Sequence, residues 1–200
     1  MQAVRGQLSL LGRQPPVFDP GFAGLTRRWL DRSAWIDHCP QWIGGQATLL
    51  GELTAAMSWR IQTRRMYERR VAVPRLTARV PDDGPGHPLL DRLADVLSER
   101  YEQSLHDISL ALYRDGSDSV AMHRDKELRD RPEALVAIVS LGDARTFALR
   151  SLHHGGPERR HTWSFGWGDL LVMGGTCQRD WEHGIPKTRH AGPRMAVMFR

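Results

Sequence analysis

The stretch "ALVAIVSLGDARTFALRSL", Ala134–Leu152, holds two short apolar runs parted by Gly142 and Asp143. Each run is strand-length, rich in branched residues and bounded by turn formers, which reads as two β-strands rather than one helix. The same pattern extends outward from it. Upstream lies "DISLALY" (Asp107–Tyr113); downstream follow "HTWSF" (His161–Phe165), "DLLVM" (Asp169–Met173) and "MAVMF" (Met195–Phe199). Many short strands with Gly, Asp or Pro between them and few helices predict a mainly β fold with flanking helices. The expected core is a double-stranded β-helix, or jelly roll.

The first half of the chain is different. "HPLLDRLADVLSERYEQSL" places Leu89, Leu90, Leu93, Leu97 and Tyr101 on one face and is the clearest helix. A second helix is expected after "VFDPGF", with Asp19 as N-cap, Pro20 at the first helical position, and Phe22, Leu25 and Trp29 at helical spacing. Between the two helices, residues 60–79 carry seven arginines against the single acid Glu68. Pro74 and the following "PDDGPGHP" argue against a long helix there, so loops and short strands are expected. "LHHGGPERRH" reads as an exposed loop. The expected organisation is an N-terminal helical extension, 1–58, packed on a core domain, 59–200.

Composition narrows the class. Two hundred residues with 40% hydrophobic content suit one soluble domain, and the net charge of +5 favours a polyanionic partner. Cys39 and Cys177 are the only cysteines, too far apart in sequence to suggest a disulfide framework or a cysteine zinc site. No apolar run approaches a signal peptide or a membrane span, so a monomeric cytoplasmic protein without a membrane partner is expected.

"SVAMHRDKEL" sets His123 and Asp125 two residues apart after a strand-like segment. With nine histidines in the chain, one such pair carries little by itself. Along a strand, however, residues i and i+2 share a face, so the imidazole and carboxylate can meet one ion. His183, in "DWEHGIPK" beside Gly184, supplies a third ligand. Two histidines and a carboxylate leave metal positions open, the pattern of non-haem Fe(II) oxygenases. A closed zinc site would want a fourth ligand, for which His153, His154, His161 and His190 are candidates, the first three reading as solvated. Finally, Arg194 and Arg200 share strand parity in "RMAVMFR", where two guanidinium forks can serve a dicarboxylate.

Taken in order, "MYERRVAVPRLTA", "LYRDGSDSVAMHRDKE", "SLGDARTFALR", "GDLLVMGGTCQRDWEHGIPK" and "PRMAVMFR" resemble the AlkB-like Fe(II)/2-oxoglutarate-dependent dioxygenases, over roughly residues 59–200. The resemblance implies that His123, Asp125 and His183 form the catalytic Fe(II) centre. It further implies that Tyr113 and Arg194 hold 2-oxoglutarate, with Arg200 between the cosubstrate and the Asp125 carboxylate. Glu127 then lies beside the target base. Residues 60–80 form a nucleotide-recognition lid, in which Met66, Tyr67, Pro74 and Arg75, with Arg64 and Arg65, meet the substrate. The implied activity consumes O2 and 2-oxoglutarate, hydroxylates an N-alkyl carbon and releases the alkyl group as an aldehyde, as in repair of alkylated DNA. Its partner would be alkylated nucleic acid, single-stranded or with a base flipped out, DNA rather than RNA.

Several positions depart from the family pattern. Ala111 and Ala196 stand where asparagines are common near the cosubstrate, Arg79 and Val80 where the lid usually has an aromatic pair, and Met122 where a tryptophan often precedes the first histidine. These leave two alternatives open: an oxygenase of the same fold acting on a protein or small molecule, and a nucleic-acid-binding module without catalysis.

Overall fold

The computed structural model describes residues 14–66, 69–80, 87–153 and 159–200, with side chains described for all of these except 62–66 and 69–72. In chain order the strands are β1 (Val17–Phe18), β2 (Thr26–Trp29), β3 (Ala34–Cys39), β4 (Ile43–Gly44), β5 (Arg60–Met66), β6 (Arg69–Arg79), β7 (Ile108–Tyr113) and β8 (Val120–His123). They continue with β9 (Val136–Gly142), β10 (Arg145–Ser151), β11 (Arg160–Phe165), β12 (Asp169–Gly175), β13 (Trp181–Ile185) and β14 (Arg194–Phe199). The helices are α1 (Gln46–Ala56), α2 (Pro88–Tyr101) and the single turn α3 (Cys177–Asp180).

Eight strands form the major sheet in the order β2-β3-β12-β9-β14-β7-β6-β5, and four form the minor sheet, β11-β10-β13-β8. Their pairings are antiparallel, and the two sheets face each other as a jelly roll. Two apolar cores result. On the outer face of the major sheet, Leu49 and Leu53 of α1 and Leu90, Leu93 and Leu97 of α2 pack over Leu110, Leu112, Val139, Val197 and Phe199. Between the sheets lie Ile138, Phe147, Leu149, Phe165, Leu171 and Trp181. β9 is therefore buried on both faces, which is why "VAIVSL" reads as a continuous apolar run instead of an alternation.

Helix α2 forms as its periodicity dictates. Pro88 opens it, His87 Nδ1 accepts the Leu89 N–H, and Glu102 closes it in the left-handed region. The helix expected after Asp19 does not form. The Asp19 carboxylate instead takes the N–H groups of Gly21 and Ala23 in a tight turn, and Phe22 has φ of 51°. Phe22 stacks on Trp42 while Trp29 ends an edge strand, so helically spaced apolar residues serve separate contacts. A side-chain oxygen that caps a helix closes a turn equally well, and tertiary pairing of β2 with β3 decides between them.

β5 and β6 pair antiparallel over residues 60–66 and 69–79, more regular than the expected loops and short strands. Pro74 is tolerated because the register slips there: Ile61 opposes Leu76, but Thr63 opposes Ala72. The bulge leaves the Pro74 carbonyl to accept from Ser119 N, outside the hairpin. The N-terminal part is not purely helical either, since β2 and β3 extend the major sheet. Of the predicted "LHHGGPERRH" loop, 154–158 lie outside the described residues, and Arg160 onward is already strand β11.

Candidate metal centre and cosubstrate pocket

β8 and β13 pair with His123 directly opposite His183, so the two imidazoles project from one face into the space between the sheets. Gly184 permits the approach, because a Cβ there would sit 3.0 Å from both Met122 Sδ and the Val120 carbonyl. Asp125 follows just past the end of β8. It joins the pair by a turn instead of by strand parity, its backbone N–H held by Gln178 Oε1 at 3.1 Å. The ligand atoms of His123, Asp125 and His183 all lie within 4.8 Å of one another, the one such group among the described residues.

Each group is fixed in a metal-ready form. His123 Nδ1–H donates to the Ala121 carbonyl at 2.9 Å, leaving Nε2 for the centre. His183 stacks on Phe147, and burial pushes its imidazole down to about 3, so it is neutral with a free lone pair. Burial alone would raise the Asp125 carboxyl, but the Arg200 guanidinium holds it below the usual carboxylate range. Arg200 Nε meets Asp125 Oδ2 at 2.9 Å and its Nη1 meets Ser109 Oγ at 2.7 Å, leaving Oδ1 toward the histidines.

The floor of the cleft is the facing ladder of β7 and β14. In register, Tyr113 opposes Arg194, Ala111 opposes Ala196, and Ser109 opposes Met198. Arg194 is buried, with Nε on Ser140 Oγ at 2.7 Å and Nη1 without a partner. Burial pushes its guanidinium down to about 10, still charged at neutral pH. An orphaned guanidinium N–H beside a phenol at one end, a His–Asp–His group at the other, and two bare alanines between them fit a short dicarboxylate chelating a metal. The whole cleft encloses about 1050 Å³.

The remaining expected residues divide. Glu127 and Lys126 are exposed and line the cleft. Arg75, assigned to the lid, points inward, its Nη1 3.4 Å from the Tyr113 hydroxyl. Arg64, Arg65 and Met66 lie on β5, the outer strand of the sheet, and Tyr67 falls outside the described residues. Arg79 pairs with Asp107 at 2.7 Å, and Val80 is buried with the helix-side core. His153 and His190 are exposed, and His154 is outside the described residues. His161 is not solvated as expected: it sits half-buried against Trp163 and Trp181, because its strand parity turns it inward. Sequence reasoning missed Ser140, Gln178, Ser109 and Arg145. Ser140 had a signal, a lone hydroxyl inside an apolar strand; Gln178 had none.

Residues 40–200 match the 2OG-Fe(II) oxygenase superfamily. The chain is 32% identical over 123 residues to "Alpha-ketoglutarate-dependent dioxygenase alkB homolog 3" of Homo sapiens, which covers 57% of the chain and 42% of that protein. It is 31% identical over 122 residues to "DNA oxidative demethylase ALKBH2" of Mus musculus, covering 58% and 51%. The chain thus spans about half the length of these relatives. Among solved structures, "The structure of OsALKBH1" superposes with a TM-score of 0.56 at 13% identity, over 88% of this chain and 99% of that one, a likeness of fold alone.

Proposed function

Because this chain belongs to the 2OG-Fe(II) oxygenase superfamily, and within it is AlkB-like, we propose that it oxidatively removes alkyl groups from the nitrogens of nucleic-acid bases, in DNA rather than RNA. The observation that carries this reading is a cationic cleft leading to the His123, Asp125 and His183 group. Arg60, Arg79, Arg124, Lys126 and Arg131 line it, against the acids Asp107, Asp125 and Glu127. Such a rim suits a phosphate backbone. The three clustered side chains would hold Fe(II), which with 2-oxoglutarate and O2 supplies an oxidant for a C–H bond beside nitrogen.

The protein's own share is placement. Arg194 and Tyr113 take the far carboxylate, Arg200 keeps Asp125 ionised and oriented, and Phe147 and Ile138 keep the inner cleft apolar. Glu127, exposed on the turn after Asp125 and lining the cleft, would accept a hydrogen bond from a base edge. A base stacked in a duplex cannot reach His183, which is 7% exposed, so the substrate is single-stranded or flipped. Both cysteines are buried and unpaired, in keeping with a reducing cytoplasmic setting. Among the described residues, exposed large apolar side chains are scattered at Val17, Trp29, Ile61 and Trp167, which suits a monomer.

One observation favours a second reading, hydroxylation of a protein or small molecule. Arg79 is engaged by Asp107 and Val80 is buried, so neither offers a ring on which a base can stack. Succinate release by the Fe(II)-loaded chain, with and without a methylated single-stranded DNA oligonucleotide, separates the two. We expect stimulation by the methylated strand and its loss in His123→Ala; turnover indifferent to every methylated oligonucleotide would move the assignment to the second reading.

A further inference from the structure

Arg75 was expected to face the nucleic acid, yet its surroundings are those of the cosubstrate. One step beyond the Leu76–Leu112 pair of β6 and β7, it stands across from Tyr113, which stands across from Arg194. Strand alternation aims it there: Leu76 and Ala78 pack on the helix-side core, while Arg75, Thr77 and Arg79 line the cleft. The result is a row of Arg75, Tyr113 and Arg194 over three adjacent strands, with the two guanidinium carbons 5.9 and 5.1 Å from the phenol ring.

The charge count in this row is unusual. Arg145, behind Tyr113, spends its N–H groups on the carbonyls of Asp115, Asp118 and Pro186. Arg75 Nε and Arg194 Nη1 are both buried without any partner, and among the described residues no carboxylate pairs with either arginine. Two neighbouring cations with unmet donors, one on each side of a hydroxyl, are costly unless an anion joins them. A single carboxylate has lone pairs enough to accept from both forks and from the phenol.

We propose that Arg75 is a second cation for the far carboxylate of the cosubstrate, and that through it the bound dicarboxylate fastens the β5–β6 hairpin to the core. This rests on the cleft being a 2-oxoglutarate site.

Anaerobic calorimetric titration of the Fe(II)-loaded chain tests it, using 2-oxoglutarate and 2-oxopentanoate, which has the same chain without the far carboxylate. Arg75→Gln is expected to weaken 2-oxoglutarate at least tenfold and to leave 2-oxopentanoate within twofold, with an unchanged melting temperature. Hydrogen exchange in β6 is expected to slow on adding 2-oxoglutarate to the parent protein and not to Arg75→Gln. Unchanged 2-oxoglutarate affinity, or equal losses for both ligands, overturns the role of Arg75; equal slowing in both proteins overturns the hairpin link. Arg194→Gln is the control. If it does not impair 2-oxoglutarate binding, or if the parent protein does not prefer 2-oxoglutarate, the cosubstrate site itself is wrong, a failure distinct from that of Arg75.

Discussion

Ala111 and Ala196 show how little a residue's identity says without its neighbour. Each is an unremarkable small residue in an apolar strand, yet in register they face one another and leave the cleft floor bare between the Arg194 end and the Asp125 end. Ala196→Leu would place a branched side chain on that floor. Ala196 is buried at the edge of the inter-sheet core but lines the cleft, so the added carbons extend into that space and the strain of overpacking is small. We expect the KM for 2-oxoglutarate to rise at least tenfold, with metal affinity by direct titration unchanged. His123 and His183 were legible as candidate ligands because the chemistry demands those residue types, and the structure brings them together. The Asp125 geometry was not: its carboxylate arrives through a turn held by Gln178, a contact between residues 53 apart.

At the scale of elements, the turn between β2 and β3 does more than connect them. Asp31 accepts the N–H groups of Ser33 and Ala34 at 2.8 and 2.7 Å, and its other oxygen accepts Trp181 Nε1 at 2.8 Å. The turn thereby ties the edge of the major sheet to β13, two residues from His183. Burial would raise the Asp31 carboxyl, but these hydrogen bonds hold it below the ordinary value. Asp31→Ala strands the indole N–H of Trp181, itself 1% exposed, and is expected to cost about 2 kcal/mol by denaturant unfolding. With the folded pKa depressed, the stabilisation is complete above the unfolded value of about 4 and disappears as pH falls through the folded one. The parent and Asp31→Asn proteins should therefore differ most near neutrality and converge in acid. Helix α2 and strands β7, β9, β10, β12 and β14 were readable from period and punctuation. The segment around Asp19 was misread because capping and turn formation use the same local hydrogen bonds, and α1 was missed because its apolar residues show no clear stripe.

For the molecule as a whole, the net charge of +5 acquires meaning only from where the cations stand. Arg64 and Arg65 belong to β5, the outer strand of the major sheet. If they track a phosphate backbone, Arg64→Ala with Arg65→Ala lowers affinity for any single strand and reduces the log–log salt slope by about 0.7 per lost contact. Titration with labelled oligonucleotides at several salt concentrations measures it, while 2-oxoglutarate affinity should stay unchanged. The sequence by itself determined the class of fold and the kinds of ligand, because strand length and turn residues are written in local order and the ordered motifs from residue 59 to 200 together carry the family resemblance. Only the tertiary structure decided which residues share the pocket. Strand register, fixed by burial on both sheet faces, put Arg75 beside Tyr113 and Ser140 under Arg194. Such pairings depend on residues far apart in the chain meeting across strands, which no local pattern encodes.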